Sequence, residues 1–112
     1  MEKLVPYKVI DGNEHRLYHA KAVLNLRPEE VLLDNPYPLY EDGALNECGV
    51  VDVFVEGNTV VAYLFFDYAT RARLDIEIGE PLYLNPSIAT NGKILNLEFS
   101  RRKETCGGKV EV

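Results

Sequence analysis

Residues 50–66, VVDVFVEGNTVVAYLFF, constrain the fold more than any other part of the chain, because β-branched and aromatic residues crowd both sides of a Gly57-Asn58 pair. A two-residue loop of this kind favours the positive-φ turns whose twist matches that of paired strands, so the segment reads as a β-hairpin. The register then follows: Glu56 faces Thr59, Val55 faces Val60, Phe54 faces Val61, Val53 faces Ala62, Asp52 faces Tyr63, Val51 faces Leu64 and Val50 faces Phe65. Side chains alternate along a strand, so one face carries Val51, Val53, Val55, Val60, Ala62 and Leu64 and is wholly apolar. The opposite face carries Val50, Asp52, Phe54, Glu56, Thr59, Val61, Tyr63 and Phe65, which is too apolar for a face left in water. Either a second sheet of the same chain or another subunit has to cover it.

The flanking sequence supplies further strands. Asp11-Gly12 is a preferred two-residue turn between Leu4–Ile10 and a returning strand that reaches about Leu26, with Ala20, Ala22, Leu24 and Leu26 on one face. Arg27 to Asp34 predicts a short helix near 28–34, with Pro28 at its first position and Glu29 and Glu30 near the positive end of its dipole; a small strand over Val31 to Leu33 is the alternative. Asn35 to Gly49 reads as the main loop, broken by Pro36, Pro38, Asp42, Gly43, Asn46 and Gly49. Arg71 to Ile78 alternates cleanly and predicts a half-buried strand, with Ala72, Leu74, Ile76 and Ile78 inward. Leu82 to Leu84, a break at Asn85-Pro86-Ser87, an Asn91-Gly92 turn and a last strand with Leu95, Leu97 and Phe99 inward complete the pattern. The expected fold is mainly β, a small antiparallel barrel or sandwich of about seven strands with one short helix. Residues 1–103 form one domain in this reading, and 104–112, with Cys106-Gly107-Gly108, a flexible tail.

Composition narrows function by exclusion. At 112 residues the chain is long enough for a single core, and a net charge of −6 disfavours nonspecific attraction to nucleic acid or to an anionic membrane. No apolar run approaches the ~20 residues a bilayer span needs, and MEKLVPYKVI lacks the layout of a signal peptide, so a cytoplasmic location is expected. In that setting Cys48 and Cys106 read as free thiols, with pairing the alternative.

Candidate chemistry is sparse. His15 and His19, four residues apart, resemble half of a zinc pair, but no further ligand stands at a set spacing, although Glu14 or Cys48 could join in space. Neither a metal nor another cofactor is expected. Cys48 with a histidine would make a nucleophile and base, yet the flanking Glu47 opposes a thiolate, and an enzyme is not expected. Asp52, opposite Tyr63, could take a hydrogen bond from the phenol or sit exposed at the rim. Arg71, Arg73, Arg101, Arg102 and Lys103, with Tyr68 and Tyr83 as stacking surfaces, would line a ligand pocket or single-strand nucleic-acid groove if their strands were neighbours. Asp75, Glu77 and Glu98 on the same segments argue against it.

The remaining candidates point to protein contact. NPYPLYEDG places Tyr37 and Tyr40 between prolines, giving rigid amphipathic area suited to an interface or to a lid on the barrel. The leading expectation is a non-enzymatic interaction or assembly module, with Tyr37, Tyr40, Phe54, Val61, Tyr63 and Phe65 meeting a protein partner or a second copy. IGEPLYLNP at 78–86 followed by NGK at 91–93 resembles segments of small phage head-decoration proteins; the likeness rests on common turn residues and identifies no family, but it adds a phage virion to the assemblies considered. The alternative is a small barrel binding a small molecule or single-stranded nucleic acid through Asp52 and the arginines.

Overall fold

The computed structural model describes residues 7–10, 12–75 and 80–112, with side chains at 12–13, 17–75 and 80–112. Along the chain run β1 (Tyr7–Ile10), β2 (Asn13–Leu24), a 3-10 turn (Pro28–Glu30), β3 (Tyr37–Glu41), β4 (Ala44–Glu56), β5 (Thr59–Asp67), α1 (Tyr68–Leu74), β6 (Tyr83–Ile88), β7 (Ile94–Ser100) and β8 (Gly108–Glu111). Strands neighbour each other in the order β2-β5-β4-β3-β7-β6-β8, and β8 returns to β2 through Lys21 opposite Glu111 and Ala22 opposite Val110. That last pairing closes a seven-stranded barrel, with β1 attached to the outlying end of β2. All pairs are antiparallel except β3 with β7. Of barrel and sandwich, the chain forms the barrel.

The central hairpin β4-β5 has the register its loop dictates, from Glu56 opposite Thr59 to Val50 opposite Phe65. The first hairpin likewise pairs Ile10 with Asn13, the register of an Asp11-Gly12 turn. Val51, Val53, Val60, Ala62 and Leu64 are fully buried inside the barrel, joined by Leu39, Leu84, Leu97, Phe66 and Phe99. Alternation on β2 places Ala20, Ala22 and Leu24 inside and Lys21 and Val23 outside.

Several segments depart from expectation, among them the break expected at Asn85-Pro86-Ser87, which lies inside β6. The helix near 28–34 is only a 3-10 turn, after which Leu32 bridges Lys93, so the stretch combines a helical turn with a single strand-like bridge. The supposed loop 35–49 is a hairpin, because Asp42 and Gly43, at φ 51° and 78°, make a tight turn between β3 and β4. Arg71 to Leu74 is helix rather than strand: the Asp67 carboxylate accepts the Thr70 amide hydrogen bond as an N-cap, and Asp75 in the left-handed region ends the helix. The rest of the expected strand, Ile76 to Ile78, lies outside the described residues. Where β6 pairs with β7 the register shifts between Ser87 and Ile88, so Ile94 rather than Leu95 points inward and Leu95 is 52% exposed.

The expected tail is instead the closing strand. Asn85 Nδ2 donates to the Arg102 carbonyl (2.9 Å), and its Oδ1 accepts from the Glu104 amide (3.1 Å). Asn25 holds the same segment through its side chain to the Thr105 carbonyl (2.8 Å) and its amide to the Cys106 carbonyl (3.1 Å). The glycines that suggested mobility are there for close approach. A Cβ at Gly108 would lie 2.0 Å from the Val23 carbonyl oxygen, and one at Gly107 would lie 1.9 Å from Asn85 Oδ1. Gly108→Ala is therefore expected to cost about 1–3 kcal/mol in chemical denaturation, whereas Leu95→Asn is expected to stay within about 0.5 kcal/mol. Equal stability of the glycine variant and the wild type would show that β8 does not pack this tightly.

Candidate functional site

The outer surface of β2, β5 and β4 gathers most of the side chains that the hairpin register marks as needing cover. Three rows cross it: Val23–Val61–Phe54, Lys21–Tyr63–Asp52 and His19–Phe65–Val50. The rows do not shield each other equally. Val61 and Phe65, at the centre, are 4% exposed, whereas Val23 at the flank is 49% exposed and Phe54 and Tyr63 are half-buried. Phe54 and Tyr63 meet edge to face at 5.8 Å, and His19 lies tilted against Phe65 at 6.5 Å. These contacts give the face rigid aromatic relief. Tyr63 donates its hydroxyl hydrogen bond to the Glu56 carboxylate rather than to Asp52. That bond, with a smaller desolvation cost, raises the phenol above its ordinary range. Asp52, opposite Tyr63 in the ladder, is half-buried.

The two loop tyrosines do not belong to this surface. Tyr37 is 3% exposed and part of the barrel core, its hydroxyl accepting from the Asp34 amide, while Tyr40 is half-buried along β3. Alternation on a strand, unrecognised in a segment with two prolines, turns Tyr37 inward.

A second concentration of polar groups lies where α1 meets the barrel. Glu41, Asn46, Cys48, Asp67, Thr70 and Arg73 line an open cleft of about 360 Å³. Thr70, 1% exposed, is its hub: the hydroxyl donates to Asp67 Oδ1 (2.6 Å) and accepts from Asn46 Nδ2 (2.8 Å), and Arg73 approaches at 3.3 Å. Arg73 forms a bidentate pair with Glu41 (2.6 and 3.1 Å), which raises the guanidinium further above its ordinary value. Burial by itself would raise the Asp67 carboxyl, but hydrogen bonds from the Thr70 hydroxyl and amide and from Cys48, with the charge of Arg73, outweigh it and hold the group below its usual range. Every named partner lies within the chain, so the arrangement clamps α1 to β3 and β4. Asn46 and Thr70 were missed in the sequence; Asp67 followed three residues later by Thr70 is a helix-start signal that would have found one of them.

The basic set does not assemble into a groove. Arg71 and Arg73 lie on α1, Arg71 over the Tyr18 ring at 5.0 Å and Arg73 on Glu41. Arg101 donates to the carbonyls of Glu80 (3.0 Å) and Leu74, stapling the end of β7 to the end of α1. Arg102 and Lys103 are exposed beside a separate cleft of about 500 Å³ with Pro86 and Cys106. His19 is exposed on the outer face, and the side chain of His15 lies outside the described residues. Among the described residues no group of three or more His, Cys, Asp or Glu is placed to hold a metal ion. Both cysteines are free thiols, and no described helix is long and apolar enough to cross a membrane. Comparison with known proteins returns no match: no family model, no curated protein and no solved structure is similar to the chain.

The Asp67 clamp makes the helix junction sensitive to acid. A carboxyl whose folded-state pKa is depressed stabilises the fold above its unfolded value, near 3.8, and that contribution is lost as pH falls through the folded-state value. Asp67→Asn keeps a capping side chain but removes the charge. The stability difference between wild type and this variant, from thermal melts across the acid range, is expected to shrink as pH drops below about 4. A difference independent of pH would sink the assignment.

Proposed function

We propose that the protein is a non-enzymatic interaction or assembly module whose contact surface is the outer face of β2, β5 and β4. The observation that carries this reading is the set Val23, Phe54 and Tyr63 on one barrel wall: aliphatic and aromatic side chains, each open to solvent in part, around Val61 and Phe65, which are themselves buried. Aromatic residues on a rigid scaffold contribute large contact area at little entropic cost. The interior supports the same reading. Leu39, Val51, Val53, Val60, Leu64, Leu84 and Leu97 fill the barrel with no exposed surface of their own, so this layer of the lumen is core rather than a ligand chamber. The buried polar side chains, Asn46, Thr70 and Asn85, direct their hydrogen bonds to groups of the same chain.

A small-molecule or single-strand nucleic-acid role draws less support, because Arg73 is committed to Glu41 and Arg101 to backbone carbonyls. A photoreactive phenylalanine analogue at Phe54, compared with one at Leu95 two strands beyond β4, tests the proposal in the host cell. A discrete protein adduct, to another protein or to a second copy, is expected at position 54 and not at 95. Equal labelling at both positions, or none at either, would overturn it.

A further inference from the structure

We infer that the loop between β7 and β8 binds a phosphate group, in the cleft of about 500 Å³ that residues 102–106 line with Pro86. The inference does not rest on reading the outer face of β2, β5 and β4 as a contact surface. The reason lies in how the loop uses its peptide groups. The Arg102 carbonyl accepts from Asn85 Nδ2 (2.9 Å) and the Glu104 carbonyl from the Gly107 amide (3.0 Å). The Thr105 carbonyl accepts from Asn25 Nδ2 (2.8 Å), and the Cys106 carbonyl from the Asn25 amide (3.1 Å). A trans peptide is planar, with its N–H directed opposite to its C=O. Fixing the carbonyls of Arg102, Glu104 and Thr105 therefore turns the amides of Lys103, Thr105 and Cys106 away from those partners. Among the described residues, none of these three amides donates a hydrogen bond. The loop gives its acceptors to the chain and leaves donors open, and backbone N–H groups gathered in this way suit an anion.

The side chains carry the same bias. Arg102 and Lys103 are exposed, and neither side chain takes part in a hydrogen bond or ion pair among the described residues. They differ in this from Arg73, held by Glu41, and from Arg101, held by the Glu80 carbonyl. Glu104 is the one acidic residue lining the cleft, so two cations face a single carboxylate there, on a chain whose net charge is −6. A guanidinium fork pairs with two phosphate oxygens, and an ammonium adds a point charge for a third. The Thr105 hydroxyl, also exposed, is a further donor. Asn85, only 5% exposed, holds the loop on both sides of Lys103 through the Arg102 carbonyl and the Glu104 amide, so these donors are in place before a ligand arrives. The cleft has the volume of a small-molecule site, and the acidic balance of the whole chain opposes a long polyanion. The phosphate is therefore a free ion or the monoester of a small molecule.

Nuclear magnetic resonance of the nitrogen-15-labelled full chain tests the site, with inorganic phosphate and glycerol 3-phosphate added separately at about pH 7.5, where the phosphate is chiefly dianionic. Sodium chloride holds the ionic strength constant. The amide signals of Lys103, Thr105 and Cys106 are expected to shift together and to saturate, with a dissociation constant of about 1 mM or below. Tighter binding of glycerol 3-phosphate assigns the site to an ester, and equal binding assigns it to the free ion. Arg102→Gln and Lys103→Gln remove side chains that hold nothing else in place, and each is expected to weaken binding about fivefold or more. Lys93→Gln, exposed outside the cleft, is expected to bind as the wild type does. Glu104→Gln removes the opposing carboxylate and is expected to tighten binding about twofold. Thermal melts of each variant check that the barrel is intact. Shifts that fail to saturate by about 50 mM, the same shifts with chloride alone, or unaltered binding in Arg102→Gln and Lys103→Gln would each overturn the assignment. Weaker binding in Glu104→Gln would overturn it too.

Discussion

The barrel depends on one seam. β2 and β6 would each present an unpaired edge without β8, and an open sheet edge is a template for pairing with other chains. β8 is short, and its hold comes from geometry around it. Gly108 lets its backbone approach the Val23 carbonyl at a distance no side chain permits, and the segment leading into it is tied down by Asn25 on β2's side and Asn85 on β6's side. Every row of the outer face presupposes this closure, because the curvature that sets Val23, Val61 and Phe54 on a common wall comes from the closed sheet.

Asparagine side chains recur wherever the strand ladder would otherwise stop. Asn35 spans Val53 in both directions, donating to its carbonyl (2.8 Å) and accepting from its amide (2.6 Å), as a neighbouring strand would. Asn85 does the same for Arg102 and Glu104, and Asn46 accepts from the Cys48 amide while donating to Thr70. A primary amide carries the donor and acceptor of a peptide unit on a movable arm, so it completes hydrogen bonding where chain direction changes. Among the described residues no buried side-chain nitrogen or oxygen lacks a partner. The buried polar side chains thereby hold the chain together.

How much of this was legible in the sequence varied with the physics of each segment. The register of the central hairpin was readable, since a two-residue loop and a period of two leave one pairing that buries Val51, Val53 and Leu64 together, although Val55, expected on the same inner face, lies 46% exposed beside the turn. β3 was hidden by Pro36 and Pro38, which suggest loop although Pro38 lies exposed in its strand. At Arg71 to Leu74, four alternating residues were too few to outweigh the Asp67 cap, and at Leu95 a register shift reversed the phase that alternation alone would give. Cys106-Gly107-Gly108 carries the composition of a mobile end, and only the distance to Val23 and Asn85 distinguishes that from tight packing. For the candidate surface, Phe54, Val61, Tyr63 and Phe65 followed from register. Val23 and Lys21 did not, because they join the face only once β2 is known to lie beside β5.

The position of the sealing strand also has a consequence in time. Lys21 pairs with Glu111, so the strand synthesised early waits for the one synthesised after all the other described strands. A nascent chain emerging from the ribosome can assemble the β4-β5 hairpin and dock it on β2, yet no closed barrel exists until β8 is outside the exit tunnel. During that interval the exposed flanks of β2 and β6 coexist with the apolar inner layer, and pairings between chains on one polysome compete with the intramolecular seam. The order of strands along the chain thus makes the length of this interval a property on which successful folding in the cell turns.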